Sequence, residues 1–241
     1  EYYQSDEYRN AYNETSSPSD YIEMHDNEQP SRLDRIGATF FRDKIVLDFG
    51  CGGGAFLDLV SGLSRETLGI EPFSGYHESL IDRGHEMFSN METAQSKYKD
   101  KVDSIVSFCV LEHVQNPQQY LKDACSLLKK SGKMYLETDN IHNILMKFNI
   151  NSFDEFFYRT AHLYYFEDKT LRKMAEQAGF SDIRISFRHN YDMSNVMLWL
   201  RDNKPTGNGK LDFLSNGVDQ NWIEFVESSG LADLVCIEMT K

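Results

Sequence analysis

Basic residues are scarce in this chain. It has 25 Lys and Arg against 38 Asp and Glu, a net charge of -13 at pH 7 and a pI of about 4.9. General affinity for nucleic acid or for an anionic membrane needs basic surface, so both are excluded as expected partners. Cysteine is sparse too: Cys51, Cys109, Cys125 and Cys236 stand far apart, with no C-x-x-C pair. That excludes a disulfide framework or a structural zinc site, and fits reduced thiols in a cytoplasm. No apolar run approaches the ~18 residues of a membrane span, and Glu1 to Glu14 is acidic and tyrosine-rich, unlike a signal peptide. There is no internal repeat. The 241 residues suit one α/β domain with additions, acting in the cytoplasm on a small molecule.

The most informative stretch is Ile45 to Val60. Ile45 to Leu47 reads as a buried strand, which stops at a glycine cluster opening into a helical apolar pattern at Phe56, Leu57, Leu59, Val60 and Leu63. Glycines at Gly50, Gly52 and Gly54 let backbone N–H groups approach a polar ligand, with the positive end of a helix behind them. The spacing differs from the dinucleotide pattern G-x-G-x-x-G, and Asp48 at the strand mouth repels a pyrophosphate but suits an ammonium group. A second short strand, Leu68 to Ile70, ends at Glu71, 21 residues after Gly50, where doubly wound folds place the carboxylate that holds ribose hydroxyls. Together these features imply an adenosine ligand carrying little negative charge.

The remainder alternates. Pro30 starts a short helix with Leu33, Ile36 and Phe40 on one face. Pro72 to Arg83 reads as a helix with a loop at its start, and Val102 to Val114 reads as the strongest strand after the first. The next helix shows Tyr120, Leu121, Ala124, Leu127 and Leu128 on one face; Ser131-Gly132 reads as its stop, and Lys133 to Thr138 as a strand. An aromatic-rich insertion spans 139–166, a helix with Leu171, Met174, Ala175 and Ala178 in register stops at Gly179, and Phe180 to Phe187 alternates like a strand. A second insertion spans 192–230, with a helix from Asp219 to Ser228, before a last strand from Ala232 to Met239. The expected fold is α/β, a Rossmann-like doubly wound sheet of seven strands, with residues 1–42 as an N-terminal arm and helix and 43–241 as the ligand-binding domain. The arm, with its tyrosines, and the two insertions are placed as a lid over the strand carboxyl ends.

The segment from Asp48 to Gly54, with Glu71 and Leu111-Glu112-His113-Val114, resembles class I S-adenosylmethionine (SAM)-dependent methyltransferases of the ubiquinone-pathway and sugar branch, over about Pro30 to Phe187. The resemblance implies an antiparallel last strand, a third strand at His85 to Met91, SAM as cofactor and S-adenosylhomocysteine (SAH) as product. It implies that Arg32 binds the methionine carboxylate, for which a guanidinium fork is suited. Asp48, Gly50, Gly52, Glu71 and Phe108 join it as cofactor residues. Phe73 touches the adenine, and Asn90 and Met91 read the adenine edge by side chain and by backbone respectively.

Methyl transfer is an in-line displacement that holds the acceptor about 3 Å from the methyl and, for a hydroxyl, removes a proton. His113 just past the fourth strand is the expected general base, with Glu112 orienting it or the substrate; His162 in the first insertion is the second candidate, beside Tyr164 and Tyr165. The run Asn190 to Asn195 resembles an extension in methyltransferases associated with bacterial surface glycans, which favours a sugar or nucleotide-linked sugar hydroxyl in polysaccharide biosynthesis. Methylation of nitrogen or carbon in a secondary metabolite or quinone precursor, and a non-catalytic SAM-binding module, are the alternatives. The glycine spacing and Asp48 disfavour a nicotinamide dehydrogenase. No carboxylate set at ligand spacing demands a metal, so metal independence is expected, with the protein a monomer or homodimer.

Overall fold

A computed structural model describes residue 15 and residues 17–241 except 208 and 215. The tyrosines at 2, 3, 8 and 12 lie outside the described residues.

Strand β1 (Ile45–Phe49) pairs in parallel with β2 (Glu66–Ile70) on one side and β4 (Val102–Phe108) on the other. With β3 (Glu86–Phe88), β5 (Leu128–Asp139), β6 (Ser181–Arg188) and β7 (Leu234–Thr240) they form one sheet in the order β3-β2-β1-β4-β5-β7-β6, with β7 antiparallel to both neighbours. This is the expected doubly wound sheet. The order reverses between β1 and β4, which opens a crevice beyond their carboxyl ends.

The helices are α1 (Pro18–His25), α2 (Gln29–Ile36), α3 (Ala55–Ser61), α4 (His77–Asp82), α5 (Met91–Tyr98), α6 (Pro117–Leu127), α7 (Asn151–Phe157), α8 (Asp168–Ala178), α9 (Met193–Asp202) and α10 (Asn216–Ser228). One face of the sheet packs on α6 and α8 through Tyr120, Leu121, Ala124, Leu171 and Ala175; the other packs Phe40, Phe41 and Phe56 against Val46, Val106 and Tyr135. Among the described residues no helix is long and apolar enough to cross a membrane.

Three boundaries differ from expectation. Ser131-Gly132 does not stop a helix: α6 ends at Leu127 and its neighbour Leu128 is already extended, so the pair lies inside β5, with Ser131 at φ 63°. The pairing of β5 with β4 shifts register there, as a bulge does. The third strand is only Glu86–Phe88, because Asn90 caps α5 through its side chain, which accepts from the Thr93 N–H at 2.9 Å. And β4 closes at Phe108, where Cys109 at φ 55° turns the chain into a short 3₁₀ turn, Leu111–His113.

The first insertion supplies α7 and the second supplies α9 and α10. They pack on each other through Phe153, Phe157, Val196, Trp199 and Val226, with Trp199 edge-on to Phe153. Asn140 ties this unit to the sheet, donating to the carbonyls of Gly230 and Ala232.

Candidate functional site

A cavity of about 870 Å³ lies over the carboxyl ends of β1, β4 and β5, lined by α1, α2, the glycine loop, the Leu111–His113 turn and the first insertion. It divides into two halves.

The first half is built by β1, β2 and α2. Gly50 sits at φ 80°, and a Cβ there would overlap Val110 Cγ2, so only glycine lets the loop pass this close to the turn after β4. Gly52 donates its N–H to Glu71 Oε2 at 3.1 Å, and Phe73 donates to Glu71 Oε1 at 2.8 Å, which fixes the carboxylate beside the loop. Tyr21 of α1 lies against Gly52 and Gly53, 5.4 Å from the Tyr76 ring. Asp48 at the end of β1 is 3 % exposed, and its Oδ1 is buried with no hydrogen-bond partner among the described residues. Burial pushes its pKa up to about 7, with Arg32 opposing and Glu71 adding to the rise. A buried carboxylate oxygen lacking a donor at the mouth of a glycine loop can accept from a cationic donor.

Arg32 lines the same half, with its guanidinium 4.3 Å from the centre of the Phe108 ring. It is already engaged: Nε donates to Glu137 at 3.2 Å, and Nη1 to Gln29 at 3.2 Å. Asn90, Met91 and Phe73 are not among the cavity-lining residues; Asn90 serves as a helix cap, Met91 packs against the core and the Phe73 ring stands edge-on to Tyr76.

The second half is where β4, β5 and the first insertion meet. His113 Nδ1 lies 3.0 Å from the carbonyl of Ala161. A carbonyl only accepts, so Nδ1 carries the proton and Nε2 keeps its lone pair. Burial lowers the His113 pKa to about 4, so the ring is neutral near pH 7. Glu112 is buried, and Thr138 donates to its Oε2 at 2.7 Å, while His113 donates from Nδ1 to the Ala161 carbonyl. Burial and the nearby Asp139 push the Glu112 pKa up to about 8. His162 stands edge-on to His113, ring centres 4.7 Å apart, with Nδ1 2.9 Å from Asp139 Oδ2. The ligand atoms of Glu112, His113 and His162 lie within 4.8 Å of one another, a donor set the sequence spacing did not announce.

Asp139, Arg159, Asn190, Tyr191 and Asp233 complete this half. Asn190 donates through its backbone and its side chain to Asp233, which also pairs with His189 at 2.9 Å. Sequence reasoning passed over Asp139 and Asp233, although both flank strand ends at the carboxyl edge, the signal that marks ligand residues in this topology. None of the cavity-lining side chains comes from the second insertion, which instead supports the first.

The methyltransferase-domain family model matches residues 22–185, more than half of the chain. The chain belongs to this family. The methyltransferase domain is 31% identical over 125 residues to the ubiquinone biosynthesis O-methyltransferase of Yersinia enterocolitica, covering 46% of this chain and 50% of that one. It is 30% identical over 117 residues to the Escherichia coli protein of the same name, covering 44% and 47%. The chain thus spans about half the length of the curated relatives it matches. Its fold is that of a SAM-dependent methyltransferase from Archaeoglobus fulgidus, with a TM-score of 0.63 at 19% identity over 97% of this chain and 98% of the other. Phosphoethanolamine N-methyltransferase 2 of Haemonchus contortus, solved with phosphomonomethylethanolamine and SAH, shares the fold at a TM-score of 0.57 and 15% identity, over 89% of this chain and 52% of that one. The matched family is a methyltransferase domain, and Asp48, with its buried oxygen, stands beside the glycine loop of that domain.

Proposed function

We propose that the protein transfers a methyl group from SAM to a hydroxyl of a small polar acceptor, with His113 as general base. The observation that supports this reading is the Ala161 carbonyl 3.0 Å from His113 Nδ1, which assigns the ring proton to Nδ1 and the basic lone pair to Nε2 in a residue that lines the cavity. SAM supplies an electrophilic methyl on a sulfonium. Arg32 receives the carboxylate of its methionine end, Asp48 the ammonium, and Glu71 the ribose hydroxyls. His113 Nε2 takes the acceptor's proton as its oxygen is methylated, and His162, 2.9 Å from Asp139, lines the acceptor side. Glu112, whose pKa is pushed up to about 8 by burial, holds the turn through the hydrogen bond it accepts from Thr138. Full activity after chelation is the expected result.

A sugar or nucleotide-linked sugar is the acceptor class we favour, because Asp139, Asn190, Arg159 and Asp233 offer hydroxyl groups many polar partners. The relatives' names point instead to a quinone precursor. Turnover of labelled SAM with nucleotide sugars and with catechols separates the two: activity on catechols alone overturns the sugar reading. His113→Ala that retains SAM binding and full turnover overturns the base.

A further inference from the structure

Behind the methionine end of the cavity lies a buried cluster of three charges. Glu137 on β5 has a fully buried side chain and accepts from Arg32 Nε at 3.2 Å and from Arg188 Nη1 at 2.8 Å. Tyr135 donates to its other oxygen at 3.2 Å, and Arg188 Nη2 donates to Ser31 Oγ at 3.1 Å. Arg32 lines the cavity; Glu137 and Arg188 do not. The side chains of Arg32 and Arg188 are 10% and 7% exposed, so none of the three charges is well screened by water.

Counted by charge, the cluster has a purpose that neither pair has alone. Arg32 with Glu137 is a neutral buried pair, and a neutral pair has little attraction left for an anion. Adding Arg188 makes two guanidiniums on one carboxylate, a surplus of one positive charge whose only cavity-facing member is Arg32. Glu28, 3.5 Å from Arg32 Nη2, is half exposed and weakened by solvent, and Asp48 is the partner proposed for the ammonium. We propose that Arg188 is a positioning residue for cofactor binding: by satisfying Glu137 it leaves Arg32 an uncancelled charge for the methionine carboxylate. This inference rests on the reading that Arg32 receives that carboxylate.

The test compares SAH with 5′-methylthioadenosine, which shares the adenosine and sulfur but lacks the ammonium and carboxylate, by calorimetric titration of the full chain; loss of a guanidinium weakens a carboxylate and not an ammonium, so the sign of the change identifies the group. Arg32→Met checks the underlying reading: selective loss of SAH supports it, and equal affinity changes for both ligands overturn it and the inference with it. Given that loss, Arg188→Met is expected to weaken SAH about tenfold while leaving 5′-methylthioadenosine unchanged. Arg188→Lys retains affinity. The Arg188→Met/Glu137→Gln double variant restores the single surplus charge and relieves the buried carboxylate, so it recovers SAH binding even where Arg188→Met alone folds poorly. Wild-type SAH affinity in Arg188→Met, equal loss of both ligands, or no recovery in the double variant overturns the inference while leaving the role of Arg32 intact.

Discussion

At the scale of single residues, the site works through protonation states set by burial. Asp48 has its pKa raised to about 7, so near neutrality it is partly protonated until an ammonium arrives. Binding of SAM or SAH should therefore release a proton from Asp48, and affinity should rise with pH between about 6 and 7.5. Calorimetry in buffers of different ionisation enthalpy measures that proton, and Asp48→Asn should abolish both the release and the slope. His113 shifts the other way, to about 4. With SAM saturating, the acid limb of kcat/KM for the acceptor should then lie well below the usual histidine range, leaving the rate flat from about pH 5.5 upward on that side. His113→Ala is expected to cut kcat by roughly 10²–10⁴ with SAH affinity kept. The type and position of these two residues were legible in the sequence, since Asp48 lies at the mouth of β1 and His113 in the short turn that follows β4. Their partners were not: Ala161 is 48 positions from His113 and Arg188 is 51 from Glu137, and such pairings have no local signature.

At the scale of elements, the glycine loop and the insertions answer to different demands. Gly50→Ala forces a side chain into a left-handed backbone and onto Val110, and should cost about 1–3 kcal/mol in a denaturant melt as well as weakening SAH. Trp199→Ala opens a cavity between α9 and α7 and should cost about 3–5 kcal/mol. Because Trp199 touches no cofactor residue, SAH affinity should hold while the acceptor KM rises as Arg159 and His162 loosen. Most elements were readable from apolar period: β1, α8 and the start of β4 fall where the pattern puts them, although β4 closes at Phe108, and Gly179 ends α8 as expected. The helix α5 was missed because Met91 to Tyr98 is mostly polar, with only Ala94 and Tyr98 buried. Ser131-Gly132 was misread because a glycine after a helical face signals a cap, whereas a bulge depends on the neighbouring strand.

For the whole molecule, the dominant facts are an acidic surface and two carboxyls held protonated inside. Asp48 and Glu112 have folded pKa values of about 7 and 8, above their unfolded values. The folded state thus binds these protons more tightly than the unfolded state, and stability is lost as pH rises through the folded values. With a net charge of -13 adding repulsion, the ligand-free protein should melt at lower temperature at pH 8 than at pH 6.5. Below about 6.5 His113 works in the opposite sense, since it must be charged in the unfolded chain and is neutral when folded. Saturating SAH should flatten the part of the slope that belongs to Asp48, which differential scanning calorimetry across that range can check.

The contact between His113 Nδ1 and the Ala161 carbonyl also bears on how such a domain acquires a new acceptor. Grafting the segment 139–166 from a relative would exchange the walls that recognise the acceptor, and with them the backbone oxygen that decides which imidazole nitrogen is basic. A graft that keeps a carbonyl at that point preserves the reaction while changing its target. One that displaces it by an ångström leaves the imidazole free to switch tautomer, and the chimera would bind both ligands yet turn over slowly.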